Sequence, residues 1–565
     1  MHNLYMILLA LLYGLIAGAC LLSFLKLYKP LPVFLLSALL SGIMLFLFFN
    51  KNHSDVIFME EESDPTGQKS WLPLVVFLTA IVIFAFLIFY PLSAWPYPAT
   101  VSELHWDAGV YHFPKAAEMI STGSSWDLSI AYGEYPFGYE SLVAFFLLLG
   151  QQGRFIGVLH AIIALFFLLS ITSCFKRTLK LNDELILFII VALFISNKII
   201  PTFDSNLWWI FWPQLMLVGK NDLLLAAVLV SILIFTPKPT DKTYHPYELA
   251  VASMIAISIK PNSLLIVLFA WAVLFFHMLK RKELSSYIKP ILISVLIMLP
   301  GSLWIIRNWV VQKALFSAET LQLSDWSILS NLTNPFLYHY LPRNLIYILS
   351  ILLIGGVISI FVKRIRFEWL TAMIFLISFA MTPATAFFGS TAEPAQIAWR
   401  FAMPLLVYTL LLLLLLVEPL LIRIYRWINA KSLFSIPASI ILIALAIIAI
   451  RADRGLFDTN PQNRYILSDQ YHESVGINGY HSAYDYVQQN ISNSVINIEN
   501  GFPYYLYDKH FTNSVSRSKP ADYFVFLQTP WINDGGYPEK LDEKTWKSQW
   551  NLIYEDAEGR VYQRK

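Results

Sequence analysis

The chain has 565 residues, of which 57% are hydrophobic and only 14% charged, and its net charge is +2. A soluble protein of this length needs more charge to cover its surface, so the composition predicts an integral membrane protein and gives no indication of a nucleic-acid partner. The two cysteines, Cys20 and Cys174, lie in apolar runs, and neither a disulfide framework nor a cysteine-based metal site is predicted.

Apolar segments long enough to cross a bilayer recur almost to residue 450. We place them at 4–25, 31–49, 71–91, 154–174, 184–201, 222–236, 262–279, 287–306, 344–362, 368–388, 399–420 and 434–450. A shorter run lies at 247–259. Counting it, we predict about 13 spans. The first segment lacks a small-residue cleavage site and is interpreted as a retained span rather than a signal peptide. The predicted fold class is mainly α: a polytopic helix bundle.

Basic clusters orient this bundle, because Lys and Arg are enriched in cytoplasmic loops. Such clusters lie at 175–180, 280–282, 363–366 and 423–426. The four agree with one another only if the short apolar run at 137–150 does not cross completely. We therefore expect a surface or re-entrant helix there, inside a first external loop that covers residues 92–153.

The composition changes after Ile450, where residues 451–565 become polar and contain no further span. Residues 494–499 and 521–527 are predicted to be strands, and 550–556 and 559–563 a hairpin around a polar turn. Helical character is expected at 481–489. The chain thus divides into a membrane domain, 1–450, and a small C-terminal α/β domain, 451–565, placed outside the cytoplasm by the same orientation argument.

Ionisable residues gather directly after the apolar run that ends near Tyr90. The segment Glu103–Lys115 holds His105, Asp107, Tyr111 and His112. Ionisable groups near the membrane are costly unless they face a polar cavity, so they indicate a site. The alternatives are that Asp107 only caps the following helix and that the two histidines are interfacial hydrogen-bonding groups. Two imidazoles without a third ligand are a weak metal signal, so no metal site is assigned and the cofactor is left unknown, with a divalent metal still open.

Further charged residues fall on the same predicted external side. They are Glu134 in the first loop, Asp204, Asp222 within Lys220-Asn-Asp222, Lys260, Arg307 and Arg400. For Lys260 the alternative is a lysine at a helix end whose amine reaches the interface. For Arg307 and Arg400 the alternative is a salt bridge that only holds a loop. One-sided gathering of mixed charge at span ends predicts an external active site.

The first loop resembles the GT-C superfamily of membrane glycosyltransferases, in particular bacterial proteins related to protein O-mannosyltransferases and aminoarabinose lipid A transferases. The motif Trp106-Asp-Ala-Gly-Val-Tyr-His-Phe-Pro114 carries this resemblance, followed by Tyr135-Pro-Phe-Gly-Tyr139. The Lys-Pro pair at Lys260, the Trp304–Asn308 turn and the Arg400–Pro404 segment are also similar to family elements. Relatives often carry a second acid beside the aspartate, whereas here Ala108 follows it.

The resemblance implies a glycosyltransferase that takes a sugar from a polyprenyl-phosphate donor and transfers it to a hydroxyl of a glycan, lipid or protein acceptor on the non-cytoplasmic side. Asp107 would be the catalytic base. Lys260, Arg307 and Arg400 would bind the donor phosphate. His105, Tyr111, His112, Glu134, Asp204 and Asp222 would complete the substrate-binding set. The expected location is a bacterial inner membrane, with membrane lipids as surroundings.

Two other functions remain open from the sequence. One is a polymerase or ligase that uses lipid-linked glycans, against which the early Asp motif and the C-terminal domain argue. The other is a flippase or transporter of a lipid-linked sugar, which predicts charges near mid-membrane and an internal repeat. The charges here lie at span ends, and the sequence has no evident repeat.

Overall fold

The computed structural model describes most of the chain. The described residues are 2–49, 107–150, 155–181, 185–186, 189–190, 219–241, 243–315, 343–380, 402–430, 440, 444, 482–498, 501–527, 543–556 and 559–565. The predicted span at 71–91, most of those at 184–201 and 434–450, and the domain boundary near residue 450 therefore lie outside these ranges.

In these ranges, the regular secondary structure of the membrane domain is entirely helical. Its α-helices are α1 His2–Phe24, α2 Pro30–Phe49, α3 Phe113–Thr122, α4 Gly138–Leu149, α5 Ile156–Thr178, α6 Asp222–Phe235, α7 Pro246–Ile259, α8 Leu264–Arg281, α9 Leu284–Gln312, α10 Arg343–Phe361, α11 Lys363–Ala380 and α12 Met403–Ala430. A short π-helix, Ala108–His112, precedes α3, and a 3-10 turn, Pro261–Ser263, precedes α8.

Within the described ranges, six helical segments are long and apolar enough to cross a membrane, which makes the chain a multi-pass membrane protein. They are His2–Phe24, Pro30–Phe49, Ile156–Thr178, Pro261–Arg281, Leu284–Gln312 and Met403–Ile424. Helices α6 and α7 have 14 residues each. Such a helix is about 21 Å long, shorter than a hydrocarbon core of about 30 Å. Both lie wholly inside the protein, so the predicted total of about 13 spans is not confirmed.

The predicted short helix at 137–150 is present as α4, but it is not a surface helix. Most of its residues are buried against α1 and α7. A Cβ on Gly138 would collide with Ser258 of α7, so the glycine permits this close approach. The hydroxyl of Tyr28 donates to the carbonyl of Ser141 at 3.1 Å. With 12 residues, α4 is too short to cross a membrane.

Helix α6 separates two clusters of charge. At its C-terminal end, Arg177 donates to the carbonyl of Thr236 at 2.9 Å, and Arg364 donates to the carbonyl of Thr178 at 2.6 Å. The basic turns at 175–180 and 363–366 therefore lie together, as predicted for turns on one side of the membrane. At the N-terminal end of α6 lies Asp222, beside residues of the first loop.

The C-terminal domain contains a four-stranded sheet, formed by the two predicted strands and the predicted hairpin. Its strands are β1 Ile496–Ile498, β2 Tyr523–Leu527, β3 Trp550–Glu555 and β4 Gly559–Arg564, in the order β1-β2-β4-β3. Strands β1 and β2 are parallel, and β3 and β4 form the predicted antiparallel hairpin. Helix α13, Ser482–Asn490, matches the expected helix, whereas α14, Glu543–Gln549, was not predicted.

Candidate active site

Asp107 lies at the start of the π-helix that opens the first-loop helix. The N–H of Phe113 donates to the carbonyl of Ala108, five residues back, in the pattern of a π-helix. The wider turn brings residues five apart towards the same side of the helix, so His112 projects on the side of Asp107. Both side chains are buried. The sequence predicted an ordinary helix here, because π-turns have no simple periodicity.

A lysine from the chain segment before α6 pairs with Asp107. Lys220 Nζ lies 3.6 Å from Oδ2 of Asp107, and both residues are less than 8% exposed. The approach depends on Gly219, whose φ of +87° favours glycine. A Cβ on Gly219 would lie only 2.6 Å from Cβ of Ala108. Glycine at this position therefore lets the lysine reach the aspartate.

A second ion pair forms at Asp222, two residues after Lys220 in the chain. Asp222 is the first residue of α6 and pairs with Nζ of Lys260, which follows the last residue of α7. Pro261 cannot donate a backbone hydrogen bond and begins a new turn, so α7 stops and Lys260 is left extended. Asp107, Lys220, Asp222 and Lys260 thus form a set of alternating charge, which we call the charge array.

A third group of charges lies behind His112. Nδ1 of His112 is 2.9 Å from Oε1 of Glu140, and Nζ of Lys115 is 3.3 Å from the same oxygen. Burial favours the neutral imidazole and lowers the pKa of His112, although Glu140 opposes the change. Burial acts to raise the pKa of Glu140, but Lys115 and His112 together hold it at about 2. The carboxylate therefore stays charged and fixes the orientation of the ring.

Arg307 supports the loop that connects α3 with α4. Its guanidinium donates to the carbonyls of Ser125 and Gly133 at 2.8 Å each and of Tyr135 at 3.2 Å. It is 1% exposed. The neighbouring Asn308 donates to the carbonyl of Glu134 at 2.6 Å. These contacts make the arginine a support of the loop, as in the alternative weighed from the sequence, although through carbonyls and not through a salt bridge. Its expected role at the donor phosphate stays a prediction.

A cleft opens beside the charge array. Its polar lining is Asp222, Asn262 and Ser378. Its apolar lining comes from α6, α11 and α12 and includes Leu225, Leu229, Phe375, Phe379 and Leu405. The cleft therefore offers polar contact at the Asp222 end and hydrocarbon contact along its walls.

The predicted site residues that the structure describes fall into three groups. Asp107 pairs with Lys220 and Asp222 with Lys260, and only one residue separates Lys220 from Asp222 along the chain. His112 and Tyr111 lie beside them, with the Tyr111 ring 4.1 Å from the His112 ring and 4.7 Å from that of Tyr132. Glu134 lies in the loop that Arg307 holds. His105, Asp204 and Arg400 are outside the described residues, so the expected meeting of Lys260 and Arg400 at one phosphate stays a prediction.

Four residues with a place in this region received no assigned role from the sequence: Lys115, Glu118, Glu140 and Lys220. Lys220 was visible as part of an external Lys-Asn-Asp segment, and its preceding glycine was the available signal for a close backbone approach. Glu140 and Lys115 are separated along the chain, and nothing in the sequence pairs them. Within the described ranges, no group of three or more His, Cys, Asp or Glu residues is placed to hold a metal ion.

Comparison with known proteins gives a likeness at the level of structure only. No family model matches the chain, and no curated protein matches its sequence. A crystal structure of ArnT from Cupriavidus metallidurans bound to undecaprenyl phosphate is similar over 87% of this chain and 97% of that chain, with 14% identity and a TM-score of 0.42. The apo structure of the same protein covers the same shares, with 13% identity and a TM-score of 0.39.

ArnT is an aminoarabinose lipid A transferase with a GT-C fold, so the similar structures belong to the group that the first loop resembles. The likeness is one of overall structure, at 13–14% identity and TM-scores below 0.5. At these values it does not establish family membership or activity, which have to be argued from the residues of this chain.

Proposed function

We propose that the chain is an integral-membrane glycosyltransferase that moves a sugar from a polyprenyl-phosphate donor to an acceptor hydroxyl on the non-cytoplasmic side of a bacterial inner membrane. The observation that supports this most is the charge array, in which a buried carboxylate stands beside a lysine and next to a second aspartate–lysine pair. Glycosyl transfer from a lipid phosphate needs a base and nearby cations, and this site supplies both.

Asp107 acts as the base in this proposal. The acceptor oxygen attacks the anomeric carbon, and its proton passes to the carboxylate of Asp107. The bond from the anomeric carbon to the phosphate oxygen breaks, and its electron pair stays on the lipid phosphate, which leaves with one more negative charge. Because the carboxylate becomes neutral as it takes the proton, it releases its hold on Lys220, which then stabilises the leaving phosphate together with Lys260.

The site lies where an amphiphilic donor meets polar groups. The cleft is a small cavity of about 20 Å³ with aspartate and asparagine at one end and leucine and phenylalanine along its walls. In this proposal it marks the junction between the polar head and the hydrocarbon tail of the donor. One of the similar ArnT structures was obtained with undecaprenyl phosphate, a carrier of this class, but its TM-score of 0.42 does not decide the donor of this chain.

His112, Tyr111 and Glu134 remain the candidates for contact with the sugar or the acceptor. Asp222 orients Lys260. Arg307 holds the loop around Glu134. His105, Asp204 and Arg400 keep their proposed substrate roles from the family resemblance, and the acceptor is a glycan, lipid or protein hydroxyl.

A reconstituted assay tests this function. Purified protein in vesicles is supplied with polyprenyl-phosphate sugars and with hydroxyl-bearing acceptors from the cell envelope, and products are identified by mass spectrometry. Release of free polyprenyl phosphate together with a glycosylated acceptor is the expected result. Movement of intact donor across the bilayer without bond cleavage would instead identify a flippase, and consumption of lipid diphosphate donors alone would identify a polymerase or ligase.

A further inference from the structure

The C-terminal domain holds the helix that carries Asp107. The carboxylate of Glu118 in α3 accepts hydrogen bonds from the hydroxyl of Tyr507 at 2.8 Å, the hydroxyl of Ser514 at 2.6 Å and the N–H of Val515 at 3.2 Å. Glu118 is 1% exposed. A buried carboxylate requires such partners, and in the described parts of the chain every donor to this one comes from the C-terminal domain.

A second contact reaches the π-helix itself. Phe502 packs on Gly109, two residues after Asp107, and a Cβ at Gly109 would lie 2.5 Å from the phenylalanine ring. Phe113 meets Tyr504 edge to face, with ring centroids 5.1 Å apart. The domain therefore touches both ends of the segment that sets the position of Asp107.

A third contact secures the loop after α3. The hydroxyl of Ser516 donates to Asp127, and the hydroxyl of Ser129 accepts the N–H groups of Arg517 and Ser518 at 3.0 and 3.1 Å. These three sets of contacts run from Gly109 to Ser129. They also place the first loop and the C-terminal domain on the same side of the bundle.

We propose that the C-terminal domain is a positioning part of the active site, in which Glu118 and Phe502 fix the π-helix so that Asp107 faces Lys220. The π-helix is an uncommon conformation that needs support from its surroundings. Glu118, Tyr507 and Phe502 are positioning residues, since none of them lies at the reacting atoms. The expected effect on kcat rests on the proposed transfer reaction. The expected effect on the mobility of residues 107–122 does not.

Removal of one hydroxyl tests the first contact. Tyr507→Phe deletes the donor to Glu118 and keeps the ring. Tyr554→Phe is the matched control, because the Tyr554 hydroxyl bonds to Asp556 within the domain. We expect faster amide hydrogen exchange over residues 107–122 and a fall in kcat of about 10–100-fold, the size expected for a misplacement of about 1 Å. The KM for the donor should change less than kcat, because Lys220 and Lys260, which meet the phosphate in this proposal, lie on other chain segments.

A steric pair tests the second contact. Gly109→Ala forces a methyl group into the ring of Phe502, so kcat should fall as for Tyr507→Phe. Phe502→Ala in the same chain removes Cγ, Cδ1 and Cδ2, the ring atoms nearest the new methyl group, and should restore at least half of the lost activity. A purely structural role for Phe502 predicts instead that the double variant is worse than either single variant.

The outcomes separate the two proposals. If wild-type protein transfers sugar and Tyr507→Phe loosens residues 107–122 without changing kcat, the positioning role is wrong. Unchanged exchange in Tyr507→Phe and in Glu118→Gln would show that the domain does not hold the helix. If wild-type protein transfers no sugar, the proposed function fails, and the exchange experiment still decides whether the domain holds the helix.

Discussion

Lys220 Nζ lies 3.6 Å from Oδ2 of Asp107, although the two residues belong to chain segments that are far apart in sequence. The pairing sets a cation directly beside the carboxylate that the proposed mechanism uses as its base. It also places the cation where a phosphate leaving from the same reaction centre would need it. In the proposed mechanism, the contact between Lys220 and Asp107 must be close before the reaction and must break when Asp107 takes up the proton.

Lys220→Met should reduce transfer strongly. Methionine keeps the length and apolar stem of lysine but removes the charge, so the leaving phosphate loses a stabilising cation. Loss of one such electrostatic contact typically lowers kcat by about 10²–10³-fold. Lys519→Met, which alters an exposed lysine of the C-terminal domain, is the control and should be neutral. Steady-state kinetics with a saturating donor measures the effect, and wild-type kcat in folded Lys220→Met would contradict it.

Gly219→Ala should separate the two members of the pair. The φ of +87° costs a non-glycine residue about 1–2 kcal/mol, and the new Cβ would collide with that of Ala108. We expect lower thermal stability and a lower kcat. Gly42→Ala is the matched control, because no atom lies within 4 Å of a Cβ built there. Equal behaviour of the two variants would show that the close approach at Gly219 has no consequence.

Arg307→Lys should destabilise the protein without weakening its affinity for the donor. Lysine keeps the charge but cannot reach the carbonyls of Ser125, Gly133 and Tyr135 together. Each buried carbonyl left without a donor costs about 1–3 kcal/mol. Thermal unfolding in detergent and donor binding by calorimetry distinguish the two roles. Weaker donor binding at unchanged stability would restore Arg307 to the phosphate site.

The His112–Glu140 pair predicts acid sensitivity. The folded-state pKa of His112 lies below its ordinary value of 6.5, so the unfolded chain binds this proton first. Stability is complete above pH 6.5 and falls as the pH drops below it. Glu140, held at about 2 instead of 4.5, adds a second loss below pH 4.5. His112→Asn should show a smaller fall in melting temperature than wild type between pH 6.5 and 5, and an equal fall would contradict the assignment.

Much of the fold was accessible from sequence because membrane helices and short strands leave a strong periodic signal. Helices α1, α2, α5, α8 and α9 and the β3–β4 hairpin were predicted close to their observed positions. Burial of α6 and α7 was harder to foresee, since an apolar run of 14 residues is equally typical of a short core helix and of part of a span.

The site was predicted in part. Asp107 and Lys260 were recognised because charged residues beside apolar runs stand out. Their partners were not assigned, because ion pairs such as Lys220 with Asp107 depend on how distant segments fold together. Glu118 is a similar case. Its position in the sequence is typical of a solvated side chain on an amphipathic helix, because its partners in the C-terminal domain are distant along the chain.

Asp107→Asn tests the central claim most directly. Asparagine has almost the same size and retains hydrogen bonding, so the protein should fold and bind the donor as wild type does. Without the base, single-turnover release of polyprenyl phosphate from a bound polyprenyl-phosphate sugar should slow by about 10²–10⁴-fold. Release at the wild-type rate by well-folded Asp107→Asn protein would contradict the claim that Asp107 accepts the proton of the acceptor.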